Sequence, residues 1–401
     1  MKYFPLFLLI SACLVAGLLV SRFLISLSVG GFLLHGLLQH QSWQEGKDTL
    51  KNFFTDLRGL SVAGIFLLLL VGGVGSEDTQ EWAVRLRVGL PLLLLPLAFA
   101  SWKTISKPQY LQLWAVFNTL LSLFSVGIFV YFCLHYAEIQ ASFKHSKAIP
   151  TPNNEHIRYS LMLCLAVFAG FDLWKSKFYF KYNFETYIYA ACAVFMLFML
   201  HLISVRSGLV AFYGISFLLI CRWIFLERKL LLGTLILSAF LSAPFLAYQL
   251  VPSVRAKVDL TFYNIELIKK GEIGDYSDTQ RLLSYQIAWR LANQNFWLGV
   301  GVGDLKSELE QIYKTEYPQQ RFMFPHNQFL IFFTATGILG LIWFLTCFLF
   351  PFFYQKAYRH KEVLIFYAWT LLAFMTELPL FISIGVLLYV YFLSISLKLE
   401  R

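Results

Sequence analysis

The chain has 401 residues, of which 58% are hydrophobic, 18% aromatic and only 14% charged. Soluble domains carry about 25% charged residues, so a water-soluble globule of this size is excluded. A net charge of +10 would suggest nucleic acid in a soluble protein; here it first asks where the charge sits relative to a membrane.

Repeated long apolar runs read as transmembrane helices. Twelve can be marked: about 4–20, 22–38, 59–75, 86–100, 110–134, 157–173, 185–204, 207–225, 230–250, 327–353, 362–377 and 379–397. The expected fold is all-α, a polytopic membrane protein of about twelve transmembrane helices with one large loop. Trp43, Trp82, Trp102, Trp174 and Tyr182 stand near the expected ends, where amphipathic rings lodge at headgroup level. Met1-Lys2-Tyr3 and the apolar run behind it superficially resemble a signal peptide. No small-residue cleavage pattern stands out, so an uncleaved first helix is expected. All six cysteines (Cys13, Cys133, Cys164, Cys192, Cys221 and Cys347) lie in apolar runs, where packing is the expected role.

Lys and Arg counts in alternate connections set the orientation. With the N-terminus inside, the inner set holds 17 basic residues, among them Lys47, Lys51, Arg58, Lys107, Lys361 and Lys398. The short outer segments hold seven: Arg22, Arg85, Arg87, Lys144, Lys147, Arg158 and Arg206. That bias puts both termini in the cytoplasm. The other nine lie in the segment 251–326, which falls outside and balances them with nine acidic residues. The positive charge is thus mostly a topology signal, and an anion must be held by individually placed arginines rather than by a basic field.

Three regions follow: helices 1–9 over residues 1–250, an outer loop at 251–326, and helices 10–12 with an inner C-terminus at 327–401. A connection of about 75 residues is far longer than packing requires, which marks it as functional or disordered. Its sequence argues for order. Ser277-Asp278-Thr279-Gln280 has the form of a capping box, and Arg281 to Arg290 continue with amphipathic periodicity. A turn, Gly299-Val300-Gly301-Val302-Gly303, follows, and Asp304 reads as the N-cap of a short helix running to about Tyr313. The glycines follow a helix rather than a strand, so a tight turn is favoured over a nucleotide site.

Few polar residues are placed to do chemistry. His326 stands where the outer loop re-enters the membrane, in Phe324-Pro325-His326-Asn327-Gln328. Histidine is suited to proton exchange near neutral pH, and Asn327 could orient its ring or a bound sugar; the plain alternative is an interfacial helix cap. The other histidines form no metal pair with a nearby carboxylate, so no metal is expected. Arg206 interrupts the junction of helices seven and eight. It suits a diphosphate, with snorkelling to the interface as the alternative. Arg281 and Arg290 are nine residues apart and fall on opposite helix faces. Arg281, in the first turn against the helix dipole, is the better anion ligand; Arg290 suits lipid headgroups or a loop carboxylate. Arg321 and Lys314 are accessory anion contacts or solvated charges. Glu377, the carboxylate of the short outer turn between the last two helices, pairs with an outer arginine or serves catalysis.

In this order the residues resemble the O-antigen ligase and polymerase family. The resemblance rests on Ser204-Val205-Arg206, Thr279-Gln280-Arg281 through Trp289, Leu298-Gly299-Val300-Gly301-Val302-Gly303, and His326-Asn327-Gln328-Phe329-Leu330 with Gly337-Ile338-Leu339-Gly340. It covers roughly residues 190–395, with Val210 where the family has leucine after the arginine. It implies a GT-C-like glycosyltransferase of the bacterial inner membrane with its active site facing the periplasm. The donor would be a glycan on polyprenyl (undecaprenyl) diphosphate, and no cofactor or metal would take part. His326, Arg281 and Arg206 would be catalytic; Arg206, Arg281, Asn327, Arg290 and Arg321 would contact substrate. The acceptor would be lipid A–core for a ligase, a second lipid-linked glycan for a polymerase, or a Ser or Thr for a protein O-oligosaccharyltransferase. Chain length slightly favours the ligase, in lipopolysaccharide biosynthesis. Membrane lipids are expected partners and nucleic acid is not. A twelve-helix transporter or flippase would show internal repeats and mid-membrane charges, and a non-catalytic scaffold would tolerate loss of His326.

Overall fold

The computed structural model describes residues 3–40, 42–102, 104–143, 149–151, 155–226, 228–250 and 277–400, with residues 255, 258–259, 261–263 and 265–266 between the last two stretches. The described chain is α-helical. In order the helices are α1 (Phe4–Val20), α2 (Arg22–Leu38), α3 (Trp43–Thr55), α4 (Leu57–Val71), α5 (Thr79–Gly89), α6 (Pro91–Phe99), α7 (Lys107–Leu134), α8 (Tyr136–Phe143) and α9 (His156–Lys175). Then come α10 (Glu185–Ile203), α11 (Arg206–Leu226), α12 (Leu230–Leu250), α13 (Ser277–Gln294), α14 (Leu305–Glu316), α15 (Gln328–Phe353), α16 (Lys361–Thr376) and α17 (Ser383–Lys398).

Every apolar run marked in the sequence lies on a helix, but not every helix can cross a bilayer by itself. Among the described residues, six are long and apolar enough, counting α5 and α6 as one, and seven if α3 and α4, bent by 75°, make one span. Helices α1, α2 and α17 are apolar but have only 16 or 17 residues. At 1.5 Å per residue these reach about 25 Å, short of a hydrocarbon core of about 30 Å. Two segments differ from expectation. The polar stretch after Trp43 is a helix, α3, and the run marked 86–100 starts earlier, at Thr79, with Pro91 opening its second half.

The core is built around α17. Its apolar residues run all the way round, and Ile384 through Leu397 are buried without a break, the pattern of a central helix. Phe392 stacks on Trp114 of α7, with ring centroids 4.7 Å apart, and Tyr391 meets Phe32 of α2 at 5.7 Å.

The bundle has two polar ends. At one, Lys107 pairs with Glu362 at 3.0 Å, Lys361 with Asp172 at 2.8 Å and Lys398 with Asp56 at 3.4 Å. At the other lie His326, Glu377 and the loop carrying α13 and α14. Both described chain ends belong to the first: His35 hydrogen-bonds Tyr3 O at 3.0 Å, and Arg58 donates to Leu397 O at 3.1 Å.

Candidate functional site at the His326 end of the bundle

The site begins with a break in a membrane helix. Inside α15, Gly337 leaves helical geometry at φ 64°, ψ −169°, which strands backbone groups that the apolar surroundings cannot solvate, at several kcal/mol each. The glycine-rich segment after α13 supplies the partners. Val300 N donates to Thr334 O at 3.0 Å and Gly301 N to Ala335 O at 2.9 Å, while Ile338 N donates to Phe296 O at 2.8 Å. The backbones approach so closely that a Cβ on Gly299 would lie 2.4 Å from Ala335 C, and one on Gly337 would lie 2.3 Å from Trp297 C. Gly299 and Gly301 also hold φ of 72° and 98°, values that only glycine adopts freely. The sequence reads this segment as a tight turn; it is a backbone patch that repairs a broken helix.

Asp304 completes the anchorage in a way that corrects its expected role. Helix α14 does start after it, and runs to Glu316 rather than Tyr313, but the Asp304 side chain makes no cap bond. Its carboxylate accepts instead from Glu77 N at 3.0 Å and Asp78 N at 2.7 Å, where α4 hands over to α5. The glycine-rich segment and Asp304 are therefore tied both to α15 and to the junction of α4 and α5.

Helix α13 lies along the His326 half of α15 and presents one face to it. Residues 281, 285 and 288 are spaced for that face. Ala288 O accepts from Thr334 Oγ1 at 3.2 Å, and the Tyr285 hydroxyl donates to His326 O at 2.8 Å. Burial pushes the Tyr285 phenol up from its usual range, partly offset by the Arg281 guanidinium, so it stays a protonated donor. Arg281 is the fifth residue of the helix, just past the first turn in which the sequence places it.

Three charged or titratable side chains converge here. Glu377, at the end of α16, is almost wholly buried with only 5% of its side chain exposed. Its Oε2 sits 2.9 Å from His326 Nδ1, and its Oε1 accepts from Arg281 Nη2 at 3.3 Å. A buried carboxylate needs such partners. A carboxylate on Nδ1 fixes the orientation of the ring and turns its Nε2 edge away from Glu377.

Gln328 and Arg85 brace the same place. Gln328, wholly buried, accepts from Leu380 N at 2.9 Å and so joins the His326 segment to the turn after Glu377. Arg85 of α5 donates to Phe381 O at 3.1 Å, pairs with Glu81, and lies 4.8 Å from the Phe381 ring centroid and 5.9 Å from that of Phe324. Neither residue is singled out by the sequence. The signal that could have found Arg85 is its spacing of four residues from Glu81, which marks an ion pair on one helix face.

The remaining expected residues fall as follows. Arg206 opens α11 after Ser204, whose left-handed φ of 52° ends α10, and its Nη2 reaches Thr261 Oγ1 at 3.5 Å. Asn327 caps α15, its side chain accepting from Leu330 N at 3.0 Å. Arg290, on the opposite face of α13 from Arg281, makes a two-pronged contact with Glu316 at 2.8 Å to each oxygen, a loop carboxylate. Arg321 is exposed on the approach to His326, and Lys314 pairs with Glu310 at 3.8 Å. The structure thus brings together His326 and Arg281, through Glu377, and sets Arg290 apart.

An apolar helical bundle with a broken helix patched by the glycine-rich segment, and a histidine held by a buried carboxylate at one end, fits a multi-pass membrane protein. The family model described as O-antigen ligase matches residues 191–345, so that part of the chain is similar to the O-antigen ligase family. Members of that family are glycosyltransferase-like enzymes that act on lipid-linked glycans. The matched segment contains Arg206, Arg281, His326 and the broken part of α15; Glu377 lies beyond it. No curated protein matches the chain.

Proposed function

We propose that the protein is an O-antigen ligase of the bacterial inner membrane. It transfers a glycan from undecaprenyl diphosphate to a sugar hydroxyl of lipid A–core on the periplasmic face, with no metal. The observation that carries this reading is the Glu377–His326 hydrogen bond of 2.9 Å beside Arg281. A hydroxyl of the acceptor sugar gives its proton to His326 Nε2 as its oxygen attacks the anomeric carbon of the donor. The bond from that carbon to the diphosphate oxygen breaks, and undecaprenyl diphosphate leaves with the electron pair. Arg281 and Arg206 stabilise the negative charge that grows on the leaving group. One displacement inverts the anomeric centre, and no covalent enzyme intermediate is needed.

Orientation supports the same reading. The Lys107, Lys361 and Lys398 pairs stand at the end assigned to the cytoplasm by the positive-inside bias, and His326 stands at the other. A strain lacking the gene separates ligase from polymerase. Loss of all O-antigen from lipid A–core, with lipid-linked polymer retained, identifies the ligase; core carrying a single repeat identifies the polymerase and overturns this choice of acceptor.

A further inference from the structure

The helix that the sequence does not show, α3, has a surface that the bundle leaves open. It packs through Phe53, which is buried against Ala63 and Ala100, and His40 Nε2 meets Thr49 Oγ1 at 2.7 Å. Gly46, Thr49 and Phe53 therefore form its protein-facing stripe. About a quarter-turn away, Trp43, Leu50 and Phe54 are 82%, 50% and 66% exposed. Their spacing of seven and four residues puts them on one line along the helix. Lys47 and Lys51 border that line on the side away from the bundle, while Glu45 and Asp48 are turned away from it. Leu57, at the start of α4, is also 49% exposed.

The position of α3 says what covers this stripe. Helix α4 runs toward the Asp304 anchorage at the His326 end, so α3 lies at the opposite end, beside the Lys398–Asp56 pair. It is bent by 75° from α4. If α4 crosses the bilayer, α3 lies close to the membrane plane. An apolar stripe bordered by lysines, with the acids facing away, fits an interface of acyl chains below and anionic headgroups above.

We propose that α3 is an interfacial helix that seats Trp43, Leu50 and Phe54 in the lipid leaflet opposite the His326 end, with Lys47 and Lys51 on anionic phospholipid headgroups. The occupant is the bilayer itself. On the orientation proposed above this is the cytoplasmic leaflet, but neither the geometry nor the test depends on glycan transfer.

The test uses the full-length protein in vesicles of phosphatidylcholine alone or with phosphatidylglycerol, and isolates Trp43 emission as the difference between wild type and Trp43→Phe. The expected result is strong quenching by lipids brominated near the headgroup, weaker quenching by lipids brominated at the chain ends, and poor access to aqueous acrylamide. Lys47→Gln with Lys51→Gln should raise acrylamide access in phosphatidylglycerol vesicles, by a factor approaching the roughly fivefold per lysine that one interfacial charge contributes, and have little effect in phosphatidylcholine. Full acrylamide access with no lipid quenching overturns the proposal in favour of a solvated helix. Strongest quenching from the chain ends overturns it in favour of a span broken between α3 and α4. Protection that appears in detergent only as protein concentration rises overturns it in favour of a second copy.

Discussion

Glu377→Gln tests the geometry of the site with almost no change of shape. The carboxylate has one oxygen on His326 Nδ1 at 2.9 Å and the other on Arg281 at 3.3 Å. Glutamine has a single acceptor for two donors. If its oxygen stays on Nδ1, its amide hydrogens face the Arg281 guanidinium; if it turns toward Arg281, those hydrogens face Nδ1 and force the ring proton onto Nε2. The guanidinium charge favours the second arrangement, which removes the base. Loss of one hydrogen bond to a charged partner costs about 1.5–3 kcal/mol, and at 1.36 kcal/mol per decade that is roughly 10- to 150-fold. Loss of general-base catalysis is itself worth about 10²–10⁴-fold, so the variant should lose at least about two decades in kcat, with donor KM changed much less. The assay is transfer by purified protein from a polyprenyl diphosphate glycan to lipid A–core, with thermal unfolding in detergent as the control for folding. Transfer within twofold of wild type, by a protein that melts normally, would refute the reasoning.

Tyr285→Phe removes only the 2.8 Å bond to His326 O; at about 0.5–1.5 kcal/mol the same transfer assay should show a fall of roughly 2- to 12-fold, and no fall means the carbonyl needs no tether. Arg290→Ala breaks an exposed pair with Glu316 worth about 0–1 kcal/mol. Its transfer rate should stay within about twofold while Arg281→Ala loses at least tenfold, and equal losses would put Arg290 in the site after all. Gly299→Ala puts a Cβ 2.4 Å from the backbone of α15 at a positive φ. Overpacking of about 1–3 kcal/mol together with about 1–2 kcal/mol for the left-handed backbone should lower the melting temperature in detergent, and an unchanged melting curve would show that the loop does not patch the broken helix.

The sequence made the helices legible because apolar length is a strong signal. It does not by itself count the crossings, because a 16-residue apolar helix and a full span look alike as runs. Helix α3 escaped notice since its apolar line is only Trp43, Leu50 and Phe54, separated by lysines and acids that read as a polar connection. His326 and Arg281 could be singled out by their residue types and their order in the chain. The sequence offers Glu377 as the partner of an outer arginine, and that arginine is Arg281; which arginine it is, and that His326 shares the carboxylate, could not be read, because the contacts join positions 96 and 51 residues apart. The three glycines were visible as a turn, but their purpose depends on Gly337 breaking a helix more than thirty residues later. Asp304 shows the same limit: a residue of good capping type was taken by a distant pair of amides, where two charge-assisted bonds outweigh one cap.

The central claim is that His326 is the base for glycan transfer, and single-turnover kinetics of His326→Ala with preformed donor–enzyme complex test it most directly. The account predicts donor binding close to wild type and a chemical step slowed by about 10²–10⁴-fold. A chemical step within a few-fold of wild type would contradict it.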